Sequence, residues 1–374
     1  MDITYYGSKY DDSLLQLYYR SIFHERKEFD NVRLPTWHHR YSLEENSYQC
    51  LAFIDDQLVG SLGIITYDGY IQGKKQKIGF FVDNCVDPDF SNIYNDIMFQ
   101  LFLNIERQAK KDGVAVIFGW DYIVNADKHD ALFSSMGYKR IDGINWFGGG
   151  TKPVLCFPVN NFKMKAYWKI GLWIFSLKHY LKEFFFKTPS DVLIRKLESE
   201  DIPSVVKIIN EYNKDLIFSP RYTEQSLKQQ IKKYNIEGIV AVIHNEIVGV
   251  VLPFFGPWSG WMYNKPFYSK RYGILIIKHP LEFVVKKEYI DQIAPKLIFE
   301  AMKDEHQGKY VLFVEIADRR NSWVKQAFEK TGGSEFIPDL GTLFIKNLSS
   351  EKIDLSKPIY VPTNLVISPY TEKI

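Results

Sequence analysis

Two acidic residues occupy matching places in the sequence and could act as catalytic bases. Asp83 lies three residues before Val86, and Glu282 lies three residues before Val285. Burial among apolar neighbours raises the pKa of a carboxyl group, because it disfavours the charged form. A raised pKa suits a general base that works near neutral pH. The sequence therefore indicates Asp83 and Glu282 as candidate catalytic residues; the alternative is a pair of solvated or salt-bridged strand acids.

Histidine and cysteine offer less chemistry. His38 and His39 follow Trp37, and they either shape a substrate pocket or form a surface pair. The chain has three cysteines, far apart and without a Cys-x-x-Cys pair: Cys50, Cys85 and Cys156. Such spacing predicts neither a metal site nor a disulfide framework, and it favours a reducing, cytoplasmic setting.

The elements that would position the two acids come in two copies. Residues 52–60 have the pattern of two strands joined by a tight turn, and residues 241–249 repeat it 189 residues later. Asp or Asn supplies the turn in each copy, as in a β-hairpin. Each hairpin is followed by a long strand, a helix, a buried strand and a helix that ends at glycine, Gly137 or Gly332.

The central helices of the two copies carry the same apolar stripe, which predicts that one face of each lies on a sheet. The paired positions are Ile93, Ile97, Met98, Leu101 and Phe102 in the first copy and Ile293, Leu297, Ile298, Ala301 and Met302 in the second. We therefore expect two copies of one mixed α/β unit, at residues 1–150 and 192–348, joined by residues 151–191. Chance similarity between common βα patterns is the alternative.

The composition limits the class of protein. The chain has 374 residues, of which 46% are hydrophobic and 25% charged, with a net charge of +2. That balance is typical of a globular protein of two or three domains. It excludes a strongly cationic nucleic-acid binder, so no nucleic-acid partner is expected. Neither a secretory signal nor an apolar run of about 18 residues is visible, and the expected location is the cytoplasm.

This order of elements, with Val86-x-Pro88-x-Phe90 leading into the first central helix, resembles the GNAT acetyltransferase superfamily. The resemblance covers both halves and implies an α/β fold (an α+β mixed sheet), built as two GNAT-like domains in tandem. In that family, the loop after the fourth strand and the N-terminus of the following helix hold the pyrophosphate of acetyl-CoA. A family base often lies on that strand, where Asp83 and Glu282 fall.

The resemblance also implies which residues would bind acetyl-CoA or another acyl-CoA. They are Val86, Phe90, Ser91, Asn92, Tyr94 and Asn95 in the first half, and Val285 and Asn321 in the second. The matching loops, residues 91–96 and 290–295, each contain an acid and no glycine, where the family has glycine. After Asn321, Phe328 replaces the family tyrosine that protonates the leaving thiolate.

Residues 161–187 combine six lysines with one glutamate and many rings. Either this segment is an amphipathic helix packed across both halves, or it is a basic helix that contacts anionic lipid at a membrane surface. Beyond it and the second copy, residues 349–374 contain three prolines and are expected to form an extended tail.

The sequence thus predicts an N-acyltransferase that transfers an acyl group from acyl-CoA to a small-molecule or peptide amine. The first alternative is a non-catalytic tandem GNAT-fold binding or scaffold protein, peripheral at a membrane. The second is transfer from another donor, such as an aminoacyl carrier, which rests on fold analogy alone. Catalytic activity itself is left open.

Overall fold

The computed structural model describes residues 1–23, 47–150, 166–187, 189–256, 275–303 and 310–366. The pair His38–His39 and the beginning of the 161–187 segment lie outside these ranges. The chain divides into two compact units. The first unit contains Met1–Gly143 and Gly341–Asp354, and the second contains Ile144–Leu340 and Leu355–Ile374.

The elements alternate between strands and helices. The strands are β1 (Asp2–Tyr5), β2 (Ser47–Ile54), β3 (Gln57–Ile71), β4 (Lys74–Val86), β5 (Val114–Tyr122), β6 (Lys139–Gly150), β7 (Val192–Lys196), β8 (Ser219–Pro220), β9 (Ile239–Ile243), β10 (Glu246–Gly256), β11 (Leu275–Val285), β12 (Tyr310–Asp318) and β13 (Ser334–Asn347). The helices are α1 (Asp11–Phe23), α2 (Tyr94–Lys111), α3 (Ile123–Ser135), α4 (Ala166–Phe185), α5 (Ile202–Asn213), α6 (Glu224–Lys233), α7 (Ile290–Ala301), α8 (Ser322–Lys330) and α9 (Thr363–Val366).

Both units have the same strand order. In the first unit, β1, β2, β3 and β4 pair antiparallel in sequence, and β5 adds parallel to β4. In the second unit, β7, β9, β10 and β11 pair antiparallel, and β12 adds parallel to β11. The sheet of each unit is therefore mixed, with a single parallel pair at the same place in the order.

The last strand of each unit comes from the opposite half of the sequence. Residues 144–150 of β6 pair antiparallel with β12 in the second unit. Residues 341–347 of β13 pair antiparallel with β5 in the first unit. The edge of β5 that faces away from β4 is therefore paired, and so is the edge of β12 that faces away from β11, so neither exposes unpaired backbone groups.

The two predicted hairpins are confirmed. Asp55 and Asp56 join β2 to β3, and His244 and Asn245 join β9 to β10, all four with positive φ between 48° and 64°. Two consecutive residues with positive φ match the twist of a two-residue hairpin, and Asp and Asn tolerate that conformation better than most residues do.

Helices cover both faces of each sheet and enclose separate apolar cores. In the first unit, α2 and α3 pack on one face and α1 on the other. In the second unit, α7 and α8 cover one face and α5 and α6 the other. Close packing depends on a glycine repeated in both hairpins: a Cβ on Gly60 would lie 2.6 Å from Ile97, and one on Gly249 would lie 3.0 Å from Ile293.

Candidate active site

In both units the parallel strands separate partway along their length. The β11–β12 ladder joins Leu275–Lys278 to Tyr310–Phe313, although β11 continues to Val285 and β12 to Asp318. In the first unit, the β4–β5 ladder ends at the Phe80–Phe118 pair, while both strands continue. A wedge-shaped gap, called the wedge below, therefore opens between β11 and β12 in the second unit and between β4 and β5 in the first.

His279 occupies the point where β11 and β12 separate. Its Nδ1 donates a hydrogen bond of 2.9 Å to the carbonyl oxygen of Val314, the first residue of β12 beyond the ladder. The side chain is fully buried, and burial lowers the pKa of the imidazole to about 3. His279 is therefore neutral, and it satisfies a buried carbonyl that the separated strand can no longer reach.

Both predicted bases lie in β-bulges on corresponding strands. In the first unit, Asp83 and Asn84 together oppose a single residue of β3, and Asp83 has a φ of 50°. In the second unit, Leu281 and Glu282 oppose a single residue of β10. A bulge changes the direction of a side chain and increases the local twist, and bulges are common beside active sites. Asp83 is the first residue of its bulge and Glu282 is the second.

Glu282 is buried in a polar cluster of the second unit. It is 3% exposed, and Tyr360 donates a hydrogen bond of 2.9 Å to its Oε1. Burial raises the pKa of Glu282 to about 7, although hydrogen bonds from Tyr222, Tyr360 and Asn213 oppose the increase. A carboxyl group with this pKa is partly ionised at neutral pH and can accept a proton there.

A second carboxyl group, Glu315 on β12, is affected by the charge of Glu282. Burial and the charge of Glu282 raise the pKa of Glu315 well above its ordinary value. Its Oε2 has no hydrogen-bond partner among the residues that the structure describes. Two carboxylates whose charges repel resist simultaneous ionisation, so the charge on Glu282 opposes the ionisation of Glu315.

Asn321, predicted to contact the acyl donor, connects to the same cluster through Tyr212. Its Nδ2 donates to the Tyr212 hydroxyl at 2.8 Å, and the indole nitrogen of Trp323 donates to that hydroxyl at 3.0 Å. Burial raises the pKa of Tyr212 to about 12, and the charges of Glu315 and Glu282 add to the increase. Asn321 and Glu282, predicted separately, thus both act on Tyr212, Asn321 through a hydrogen bond and Glu282 through its charge.

The tail segment, residues 355–363, supplies Tyr360 to this cluster. The Ile359 amide donates to Asp318 Oδ2 at 2.9 Å, and the Tyr360 amide donates to the Ile217 carbonyl at 2.9 Å. Asp318 in turn binds Arg320, whose guanidinium also reaches the Leu355 carbonyl. The segment is therefore attached to the end of β12 and to the chain after α5.

In the first unit, the predicted binding residues surround the start of α2. Val86 is buried in the core, and Phe90 packs against that core from the turn Pro88–Ile93. Ser91, Asn92 and Asn95 are exposed. Val285 of the second unit is buried in the same way as Val86.

Tyr94 begins α2, and its ring stacks on His129 of α3, with ring centroids 5.4 Å apart and planes inclined by 9°. His129 Nδ1 lies 2.7 Å from Asp121 Oδ2 at the end of β5. Burial raises the pKa of Tyr94. The stack therefore joins the N-terminus of α2 to α3. Asp83, the predicted base of this unit, is half-buried, and its backbone carbonyl accepts a hydrogen bond from Ser61.

Sequence reasoning did not find Tyr212, Tyr222, Glu315 or Tyr360. Tyr360 meets Glu282 across 78 residues of chain, and Tyr212 meets Asn321 across 109. No local pattern signals such contacts.

Among the described residues, no group of three His, Cys, Asp or Glu side chains could hold a metal ion. The described helices include none that is both long and apolar enough to cross a bilayer.

Comparison with known proteins identifies the fold. No protein-family model matches the sequence, and the search of curated proteins also gives no match. Solved structures do match. N-myristoyltransferase from Saccharomyces cerevisiae, with bound myristoyl-CoA, gives a TM-score of 0.58 at 12% identity, covering 92% of this chain and 79% of that one.

Two bacterial structures match in the same way. A GCN5-related N-acetyltransferase from Anabaena variabilis gives a TM-score of 0.52 at 8% identity, covering 91% of this chain and 72% of that one. A probable N-acyltransferase from Enterococcus faecalis gives 0.53 at 8%, with 91% and 72% covered. The chain therefore has the mixed α/β fold of the GCN5-related N-acetyltransferases, as predicted from the sequence.

Proposed function

We propose that this protein is an N-acyltransferase that transfers an acyl group from an acyl-CoA thioester to an amine, with Glu282 of the second unit as the general base. The observation that supports the proposal most directly is the burial of Glu282 beside the separating strands, with a pKa of about 7. The fold supports the reaction class, because the solved structures that match include N-acyltransferases.

The reaction can be written with its protons balanced. Glu282 accepts a proton from the amine, whose nitrogen then bonds to the thioester carbonyl carbon as the carbon–sulfur bond breaks. Backbone amides of β11 beyond Lys278 no longer bond β12, so they can polarise the carbonyl oxygen. The protonated carboxyl, with a pKa of about 7, returns its proton to the thiolate, whose conjugate acid has a pKa of about 8.5.

In this proposal, Glu282 also takes the place of the missing tyrosine as the group that protonates the leaving thiolate. Phe328 is fully buried in the core of the second unit and cannot donate a proton. A carboxyl group with a pKa of about 7 is partly ionised at neutral pH, so it can first accept the proton of the amine and then donate it to the more basic thiolate. The proposal therefore assigns no proton transfer to the Phe328 position.

We assign the chemistry to the second unit. Glu282 is nearly fully buried, whereas Asp83 is half-buried. In the first unit, the Tyr94–His129 stack and Asp96, in the first turn of α2, occupy the place where the family holds pyrophosphate. We propose that the first unit serves structure, and that acyl-CoA binds in the wedge of the second unit near Asn321 and Val285.

The test combines binding with turnover. Isothermal titration with CoA and acyl-CoA should show binding by the intact protein, and thiol release should follow with amine acceptors. Glu282→Gln should retain acyl-CoA binding but lower kcat by a factor on the order of a hundred to ten thousand. Glu246→Gln, an exposed carboxylate of the same unit paired with Lys286, is the matched control and should leave the rate unchanged.

Two results would overturn the assignment. An absence of CoA and acyl-CoA binding by the intact protein would remove the acyltransferase proposal. Loss of turnover in Asp83→Asn, with Glu282→Gln active, would move the chemistry to the first unit.

A second candidate function is ligand binding without catalysis. It is favoured by Asp96 and Asp291, which lie in the first turns of α2 and α7, where a negative charge repels phosphate. Asp291 is paired with Lys330, which offsets its charge in the second unit. This function predicts binding of a ligand without CoA and no thiol release from any acyl-CoA.

A further inference from the structure

Helix α4 presents an apolar stripe to solvent. Ile174 and Leu181 are 54% and 46% exposed, and Phe184 and Phe185 are each 72% exposed. At 3.6 residues per turn, Ile174, Leu181 and Phe185 fall within about 40° of one another around the helix, and Phe184 lies beside them. Single exposed apolar residues are common, but four large ones on one helix face form a patch.

The opposite side of α4 is fixed to the second unit. His179 is 2% exposed, its Nδ1 donates a 2.7 Å hydrogen bond to the Thr331 carbonyl, and its ring packs against Phe299. Gly332 makes this approach possible, since a Cβ there would lie 3.1 Å from the backbone of residues 178 and 179. The orientation of the helix is therefore set by packing, and the stripe faces away from the unit.

Lysines lie along one edge of the stripe. Lys178 and Lys182 are exposed and lie on one edge of it, one turn apart, and exposed Lys187 follows the helix. Glu183, the one acid of α4, falls on the side of His179 in the helical projection. The outward face thus combines aromatic and aliphatic side chains with positive charge only.

We infer that α4 docks this protein on an anionic lipid bilayer, with the stripe in the headgroup–acyl boundary and Lys178, Lys182 and Lys187 on the lipid phosphates. A helix with one apolar, ring-bearing face edged by lysines lies in the plane of a membrane surface. An anionic bilayer is complementary to both the apolar stripe and the lysines, because its acyl-chain layer lies directly beneath negatively charged headgroups. The stripe runs about 16 Å along the helix, enough for one shallow contact.

Vesicle flotation of the full chain tests this inference. The protein should float with vesicles of phosphatidylcholine and phosphatidylglycerol, should float far less with phosphatidylcholine alone, and should be released as salt is raised. Lys178→Glu with Lys182→Glu should lower the partition coefficient at least about twenty-five-fold, about five-fold for each lysine removed. Phe184→Ser with Phe185→Ser should lower it by about ten-fold for each ring.

The chain offers a matched control in α6. Lys228 and Lys232 are exposed and also lie one turn apart on a helix of the same unit. Lys228→Glu with Lys232→Glu makes the same change in net charge and should leave flotation unchanged. All the replaced residues are exposed, so each variant should keep the wild-type circular dichroism and Tm.

Three outcomes would overturn the inference. Equal flotation with neutral and anionic vesicles would show that the lysines do not contribute to binding. Equal losses in the α4 and α6 charge variants would show that only the net charge of the protein matters, and not the position of the lysines on α4. A concentration-dependent dimer that disappears in the Phe184→Ser, Phe185→Ser variant, without any flotation, would show that the stripe is a protein interface. Binding of acyl-CoA is a separate measurement and stands or falls independently.

Discussion

At the scale of single residues, the properties of Glu282 arise from a conflict between burial and hydrogen bonding. Removal from water favours the neutral acid, whereas donors such as the Tyr360 hydroxyl favour the carboxylate. The balance leaves the pKa near 7 rather than far above it. The tail segment therefore contributes to the proposed chemistry by keeping the base ionised part of the time.

Replacing Tyr360 by Phe tests this balance. The variant loses the donor to Oε1, so the carboxylate is less stabilised and the pKa of Glu282 should rise above 7. The acid limb of the kcat/KM profile should move to higher pH by at least about one unit, since one hydrogen bond to a charged group contributes roughly 1.5–3 kcal/mol and one pKa unit corresponds to about 1.4 kcal/mol. At pH 7 the variant should be slower, and at pH 9 it should approach the wild-type rate.

The pH profile also separates this explanation from simple damage. A misfolded or loosened site would lower the rate at every pH, without moving the limb. An unshifted profile would show that Tyr360 does not set the pKa of the catalytic group.

At the scale of elements, the separation of β11 from β12 needs a substitute for the lost ladder. The Val314 carbonyl is buried where no strand amide of β11 continues the pairing, and the imidazole of His279 takes that place. Burial keeps His279 neutral, and the Val314 carbonyl places its single ring proton on Nδ1, because a carbonyl oxygen can only accept. His279 is thus a structural residue of the wedge, not a second base.

His279→Phe should keep the ring volume but leave the Val314 carbonyl unsatisfied. We expect the free energy of unfolding to fall by about 1–3 kcal/mol, measured by urea denaturation at pH 7. His244→Asn is the control: it replaces an exposed histidine in a hairpin turn where φ is 48°, which Asn tolerates, so a change below about 0.5 kcal/mol is expected. Equal losses in the two variants would contradict the role assigned to His279.

At the scale of the whole molecule, the sequence predicted the repeated order of elements because that information is local. Hairpin turns and apolar stripes are formed by residues close together in the sequence. The hairpin at Ala52–Gly60 and the stripe on α2 can therefore be recognised from the sequence alone. Glu282 and Asn321 were found through their spacing to a valine and a glycine. Tyr212, Glu315 and Tyr360 were not, because only the tertiary fold lets Tyr360 bond the base and lets the charge of the base reach Tyr212 and Glu315.

The origin of the last strand in each unit was also hidden in the sequence. Strands β6 and β13 each look like the natural end of their own half, with a helix and glycine before them. Period-two patterns show that a strand exists and which face is apolar, but they do not show which neighbour it pairs with. Only the ladders reveal that residues 341–347 join β5 and residues 144–150 join β12.

This exchange predicts that core mutations act on the unit opposite to their place in the sequence. Phe344 stacks on Phe133 in the first unit, with centroids 4.0 Å apart, and Phe147 packs near Phe328 in the second, at 6.3 Å. Both side chains are buried, so either Phe→Ala change should cost about 3–5 kcal/mol. Hydrogen exchange should show Phe344→Ala losing protection in β4 and β5, and Phe147→Ala losing it in β11 and β12.

The two variants control for each other, because they remove the same ring from equivalent strands. If Phe344→Ala instead deprotects β11 and β12, or if both variants deprotect both units alike, the strands are not exchanged as the ladders indicate.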